Sequence, residues 1–310
     1  MTGIPKWRHA RSPYEVFQLV VEDPRISIKE ISKRFNINLK TAEIWWNHAT
    51  ERRIIIPPIF RRKCYENFKE YFYFLNTNDA YKLYWKAQEN EEITYCSVET
   101  GFANFFIIAK SPIEPEGNIV LEGNRSDYYV SIPPAHDFRT AITRIRNKLD
   151  NLDSLKISSS PLISRNYSYE NWDDKDEAIF QSLCNDMRKP FSHVLKETNT
   201  YSDKIMKWFR GRNEFGHTTV MFFPEGDSSY ILLRYFIEIE KEFDSLLIDI
   251  FSELPASTIF YRLDEKLIIS AYLPFSLEGR MIVREVLSVL KSEKLVSDYT
   301  NSFVEYGFRQ

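Results

Sequence analysis

The chain has 310 residues, of which 43% are apolar and 15% aromatic, and a formal net charge of −3. It can fold but is too long for one ordinary core, so two or more domains are expected. No apolar run reaches the ~18 residues of a membrane span, and residues 1–11 lack the apolar stretch of a secretory signal. The three cysteines (Cys64, Cys96, Cys184) form no CxxC pair, which points to reduced thiols in the cytoplasm.

Ser12-Pro13-Tyr14-Glu15 has the form of a capping box with proline at the first helical position. It predicts a helix with Val16, Phe17, Val20 and Val21 on its apolar face, stopping before Pro24. Ser27-Ile28-Lys29-Glu30 is a second capping box and opens a short helix with Ile28, Ile31 and Phe35 inward. Asn36-Ile37-Asn38 makes a turn, and Asn38 caps a third helix that buries Ala42, Trp46 and Ala49. Three short helices with a tight turn between the last two predict a helix-turn-helix. Residues 54–60 then run extended, as a wing or a connecting strand.

From residue 67 the pattern turns to strands. Residues 69–75 predict a strand, 79–89 a helix, and 93–98 with 104–109 a hairpin around Gly101. Phe138, Ile142, Ile145 and Leu149 mark a second helix, with residues 155–158 as a last strand. A segment at 113–134, containing Gly117, Gly123 and Asn124, reads as an inserted hairpin or loop, and residues 159–170 as a linker. A second set follows a second helical triplet: strand 230–239, a helix ending at Pro255, hairpin 258–263/266–273, a helix through Ile282, Val286, Val289 and Leu290, and strand 302–306. The order β-α-β-β-α-β is the ferredoxin-like arrangement.

The two halves share a pattern at a constant offset of 163 residues. It pairs Val16 with Ile179, Phe17 with Phe180, Ile31 with Val194, Asn36 with Asn199 and Trp45 with Trp208. The expected fold class is therefore α+β: an N-terminal winged-helix/helix-turn-helix plus a ferredoxin-like βαββαβ domain, the whole unit repeated in degenerate form. The expected domains are 1–60, 61–160 with its insertion, 170–226 and 227–310.

Charge is uneven along the chain. Residues 1–70 carry 14 Lys+Arg against 8 Asp+Glu, whereas residues 170–217 carry 8 against 9. A basic first head suits contact with phosphate. On its third helix Asn38, Lys40, Thr41, Ile44 and Asn47 stand where base edges would be met. Lys33, Arg34, Arg52 and Arg53 are the candidates for phosphate contacts. Trp45 is assigned to packing on a neighbouring domain, and Arg61-Arg62-Lys63 to a solvated turn. The five histidines are scattered and no GxGxxG, GxxxxGK or GxSxG motif occurs, so neither a metal nor a cofactor is expected.

The run from Pro24 to Phe35, followed by Asn36-Ile37-Asn38-Leu39-Lys40-Thr41, resembles the helix-turn-helix of the Lrp/AsnC (feast/famine) family of transcription regulators. Trp172-Asp173-Asp174-Lys175-Asp176-Glu177-Ala178-Ile179 is similar to that family's first-helix start, and Thr100-Gly101-Phe102-Ala103-Asn104 to its hairpin, with Ala and Asn in place of Tyr and Asp. The resemblance implies a sequence-specific regulator that binds double-stranded DNA, is no enzyme, and carries ferredoxin-like domains for pairing and effector sensing. One basic head per chain implies a homodimer on a two-fold site. Two alternatives remain. One is a siroheme-decarboxylase-like enzyme on the same fold, although the Trp/Tyr/His-rich stretch of those enzymes is missing around residues 94–110. The other is a protein-interaction module without DNA binding.

Overall fold

The computed structural model describes residues 12–164 and 168–309. The segment 1–11, the side chain of the Ser12 cap and part of the expected linker lie outside the described residues. In chain order the elements are α1 Ser12–Glu22, α2 Ile28–Arg34, α3 Leu39–Glu51, β1 Ile55–Arg62, β2 Tyr71–Asn76, α4 Ala80–Gln88 and β3 Ile93–Gly101. They continue with β4 Phe105–Ala109, β5 Asn118–Asn124, β6 Tyr129–Val130, α5 Phe138–Leu149, α6 Asp174–Leu183, α7 Phe191–Thr198 and α8 Ser202–Phe215. The last are β7 Gly216–Phe222, β8 Tyr230–Ile239, α9 Asp244–Phe251, β9 Ile259–Leu263, β10 Lys266–Pro274, α10 Leu277–Ser292 and β11 Val296–Arg309. The protein is mixed α+β and divides into two compact units, each built from two separate stretches of chain.

The first unit holds the described residues up to Lys63 together with Asn171–Ser229. Ser27 accepts a hydrogen bond from the Glu30 N–H at 3.1 Å and Asn38 one from the Thr41 N–H at 2.8 Å, so both helices start at their caps. The turns after α2 and α7 pass through Asn36 (φ 50°) and Asn199 (φ 45°), a left-handed conformation that asparagine tolerates better than most residues. The expected wing is instead half of a two-stranded ribbon, in which β1 pairs antiparallel with β7 from the later stretch. Strand β7 has no counterpart among the sequence expectations, because Gly216 and His217 interrupt its apolar run.

The two helical triplets are joined by a reciprocal pair of arginines. Arg25 donates to the carbonyls of Met187 and Lys189 at 2.5 and 3.0 Å, and lies 4.1 Å over the Phe191 ring. Arg188 donates to the carbonyls of Pro24 and Ile26 at 2.9 and 2.8 Å, and lies 4.3 Å over Trp46. Each guanidinium thus satisfies carbonyls at the edge of the opposite triplet while stacking on an aromatic face. Both tryptophans pack against the core of the first triplet; Trp46 also meets Arg188 of the other triplet, and Trp45 packs on Phe35 of its own at 5.7 Å. Arg62 is buried, 2.7 Å from Glu177 and 3.8 Å over Trp172, so the basic triplet is no solvated turn.

The second unit, Cys64–Glu170 with Tyr230–Gln310, is built on one antiparallel sheet of nine strands in the order β5-β2-β4-β3-β11-β8-β10-β9-β6. β11 pairs with β8 on one side and with β3 on the other, which makes one sheet of two strand sets. The sheet curls until β5 approaches β9, where Arg125 and Leu263 form an isolated bridge. The segment expected as an insertion supplies this seam: β5 extends the sheet beside β2, and β6 pairs with β9. Across the seam the Ser126 N–H donates to the Arg262 carbonyl and the Arg262 N–H to Ser126 Oγ, at 2.9 and 2.8 Å. The inner face is aromatic, with Phe72, Phe74, Phe106, Phe236 and Tyr261 fully buried.

Two expectations fail here. Residues 155–158 form no strand, since β5 already occupies the edge beside β2. Helix α5 packs with α9 and α10 rather than on the strands that precede it, with Ile145 and Leu149 entering the core under those helices. Residues of the expected linker also pack: Leu162 is fully buried and Ser160 donates to Asp244 at 2.7 Å.

Inside the sheet Arg234 (β8) forms an ion pair with Glu99 (β3) across the intervening β11. Both are buried, Ser97 donates to Glu99 at 2.9 Å, and Arg234 lies 4.3 Å over Phe106. Among the described residues Glu99 Oε2 and Arg234 Nε have no hydrogen-bond partner. Removing one member strands a charge in an aromatic interior. Arg234→Met is expected to lower unfolding free energy by about 3–5 kcal/mol, with Arg234→Met/Glu99→Leu regaining most of it. Denaturant titration of both variants checks this. In the first unit Arg25→Ala and Arg188→Ala should each cost about 1.5–3 kcal/mol, the usual worth of a charged hydrogen bond. Their effect would be read as a shift in the unfolding of that unit.

Candidate functional site

The residues singled out from the sequence lie on α2, α3 and the turn after α3, and several of them are engaged by neighbours. Asn38 and Thr41 are spent on each other: Asn38 Oδ1 accepts from the Thr41 N–H and, at 3.0 Å, from its hydroxyl. Lys33 and Arg34 pair with Glu30 of their own helix at 3.7 and 3.5 Å. Arg53 binds Asp227 at 2.5 Å, and Arg52 caps the C-terminus of α3. Lys40, Ile44 and Asn47 remain as an exposed stripe, with Ile44 55% exposed.

The structure presents a different constellation in the second unit. A cleft of about 390 Å³ opens between the start of α10 and the outer face of β8 and β11. Strand alternation puts Ile231, Leu233 and Tyr235 on this face and Arg234 on the other. Register then sets Asn301 beside Tyr235 and Phe303 beside Leu233. Ser276 caps α10 by accepting from the Gly279 N–H at 3.2 Å, which fixes the helix start above these strands. Arg280 and Arg284 stand one turn apart on that helix, so their Cα atoms are about 6 Å apart along it.

Among the described residues neither guanidinium has a carboxylate partner. Their neighbours Glu278 and Glu285 do not supply one: Glu285 is held by Arg146 at 2.8 Å through both oxygens. Tyr235 is 2% exposed, and burial raises its phenol pKa although the Arg284 charge opposes the shift. Phe275, 66% exposed, stands at the rim. Two unpaired guanidiniums, a protonated phenol and an amide beside two aromatic rings make a site for an anion carried on a flat apolar body. Sequence reading missed all of these. The available signal was an i, i+4 arginine pair on a helix whose other face is apolar.

No family model matches the sequence, and no curated protein matches it. Among solved structures, the fold is similar to a crystal structure of the siroheme decarboxylase NirDL with an iron-uroporphyrin III analogue. The TM-score is 0.52 at 8% identity, over 96% of this chain and 92% of that one. A second NirDL structure gives a TM-score of 0.50 at 8% identity, over 97% and 92%. At this identity the likeness establishes the fold.

These findings correct the Lrp/AsnC regulator reading and, with it, the expectations of double-stranded DNA as partner and of a protein that is no enzyme. Both of these structures, similar over nearly the whole of this chain, are of an enzyme. The physical reason for the error is specific. The residues that carried the resemblance, Ser27, Ile31 and Asn38, are caps and core, which the fold needs whatever it is used for. Part of the positive charge of the first 70 residues is also engaged within the fold, at Arg25 and Arg62, and Arg53 pairs with Asp227. No helix among the described residues is long and apolar enough to cross a membrane.

Tyr235 gives this site a measurable signature. A phenol held above its ordinary value of 10.0 keeps its proton in the folded state. Its contribution to stability is complete below pH 10 and is lost as pH rises through the folded value. Tyr235→Phe should therefore reduce the loss of thermal stability between pH 9 and pH 11, as read by melting curves across that interval.

Proposed function

We propose that this protein is an enzyme acting on a carboxylated tetrapyrrole, similar to the siroheme decarboxylases. The observation that carries the reading is the pair of unpartnered arginines, Arg280 and Arg284, beside Tyr235 and the rings of Phe275 and Phe303. A tetrapyrrole with carboxylate side chains needs cations at its edge and apolar contact on its face, which this cleft offers together. The fold likeness to an enzyme named for siroheme decarboxylation supports the same substrate class.

Decarboxylation breaks the bond between a side-chain methylene and its carboxylate. Carbon dioxide leaves, and the electron pair left on carbon takes a proton. In this reading the arginines hold carboxylates that are retained. The carboxylate that leaves sits against Leu233 and Phe303, where loss of water favours the neutral product. Tyr235 is the proton donor, within a cleft where its phenol stays protonated.

The same proposal takes the chain as a tandem of one unit, with residues 1–60 and 61–160 as the first copy and 170–226 and 227–310 as the second, each opening with a helix-turn-helix. Arg25 and Arg188 stand at the 163-residue offset, as do their acceptors Pro24/Met187 and Ile26/Lys189 and the left-handed Asn36/Asn199, all of which support it. The paired units then form within one chain what a homodimer would supply.

Absorbance titration with iron-uroporphyrin III tests the substrate class. The unaltered protein should shift the spectrum saturably. Arg280→Ala and Arg284→Ala should each weaken binding about tenfold, the cost of losing roughly 1.4 kcal/mol of charged contact. Tyr235→Phe should bind normally and lose carbon dioxide release from siroheme. Equal binding by an Arg280→Ala/Arg284→Ala protein would sink the assignment.

A further inference from the structure

The displacement of α5 has a local result. The strands β2–β5 keep α4 on their outer face, and α5 lies with α9 and α10. Beside α4 a cavity of about 490 Å³ remains, with Leu83, Ala87, Ile93, Phe105, Ile107 and Ile113 as its apolar lining. That is the size of a small-molecule site. The strap at 111–116 crosses its mouth on three polar ties. Ile113 N–H donates to the Tyr73 hydroxyl at 3.1 Å, Ser111 donates to Glu92 at 2.6 Å, and Lys86 pairs with Glu116. These last two ties lie at the surface and are cheap to break.

The rim is acidic in balance. Glu89, Glu91, Glu114 and Glu116 line the mouth with Lys86, while Lys110 donates to the Glu91 carbonyl at 2.9 Å and Lys82 lies near Glu116. Lys86 is engaged with Glu116, and the other three carboxylates have no cationic partner among the described residues. An apolar pocket with an anionic mouth disfavours a carboxylate and favours a ligand with an apolar body and a cationic head.

We propose that this cavity is a second ligand site, distinct from the arginine cleft, which takes a small amphipathic primary amine with its chain against Phe105 and Ile107 and its ammonium among Glu89, Glu91 and Glu114. Entry moves Ile113 outward and opens the strap at the Lys86–Glu116 pair. The site has the opposite charge preference to the arginine cleft, so the two would not compete for one ligand.

Calorimetric titration of the full chain with n-heptylamine, n-heptanol and heptanoate tests this. The expected result is one saturable site for the amine, with the alcohol and the carboxylate at least tenfold weaker. Ala87→Leu, which fills the cavity from α4, should abolish amine binding. Should that variant fail to fold, Glu91→Gln/Glu114→Gln alters only surface groups and should weaken the amine at least fivefold while leaving heptanol unchanged. Binding of heptanoate as tight as the amine, no saturable amine binding, or amine binding unaffected by the glutamine pair would each overturn the proposal.

Discussion

The second unit depends on β11 being paired along both edges. Its residues 302–304 face β8 and β3 at the same time, with Ser302 opposite both Arg234 and Gly101. A strand held on two sides cannot slip by one residue without turning its side chains to the wrong face of the sheet. The close approach is visible at Gly101, where a Cβ would strike the Asn301 carbonyl and where φ is +136°. The cleft floor at Tyr235, Asn301 and Phe303 and the buried Glu99–Arg234 pair are therefore opposite faces of one ladder. The same strand that presents the candidate site to solvent is fixed from behind by a charge pair in an aromatic interior.

Local elements were legible in the sequence wherever they follow local chemistry. The caps at Ser27 and Asn38, strand 230–239 and the helix through Ile282 and Leu290 are set by side chains within a few residues of each other. What could not be read was partnership. Nothing near residues 55–62 says that their strand pairs with residues 216–222, and nothing in Phe138–Leu149 says that the helix belongs with α9 and α10. Those choices are made by long-range packing, which period and composition do not encode. The arginine cleft was illegible for the same reason: Arg280 and Arg284 are adjacent in sequence, but Tyr235 and Phe303 reach them only through strand register.

Arginine serves three separate purposes in this chain, and sequence reading did not separate them. Arg25 and Arg188 tie carbonyl edges together and stack on rings. Arg234 and Arg262 are buried with carboxylates, Arg262 being 3.0 Å from both Asp244 oxygens. Arg280 and Arg284 line a cleft, and among the described residues neither has a carboxylate partner. A net charge counts all of them alike. Arg25 and Arg62 count toward the basic balance of the first 70 residues although the fold itself engages them, whereas Arg280 and Arg284 stand in a stretch whose overall balance is acidic.

The placement of α5 has a consequence for how the chain could be divided. The helix is encoded with the earlier strands yet fills the core of the later ones, and β11 is encoded last yet pairs with β3. A polypeptide cut in the 159–170 segment would yield two fragments, each with a vacancy shaped for the other. The first would carry an apolar helix with nothing to lie on, and the second a core open above α9 and α10. Such fragments would be sticky alone and complementary together.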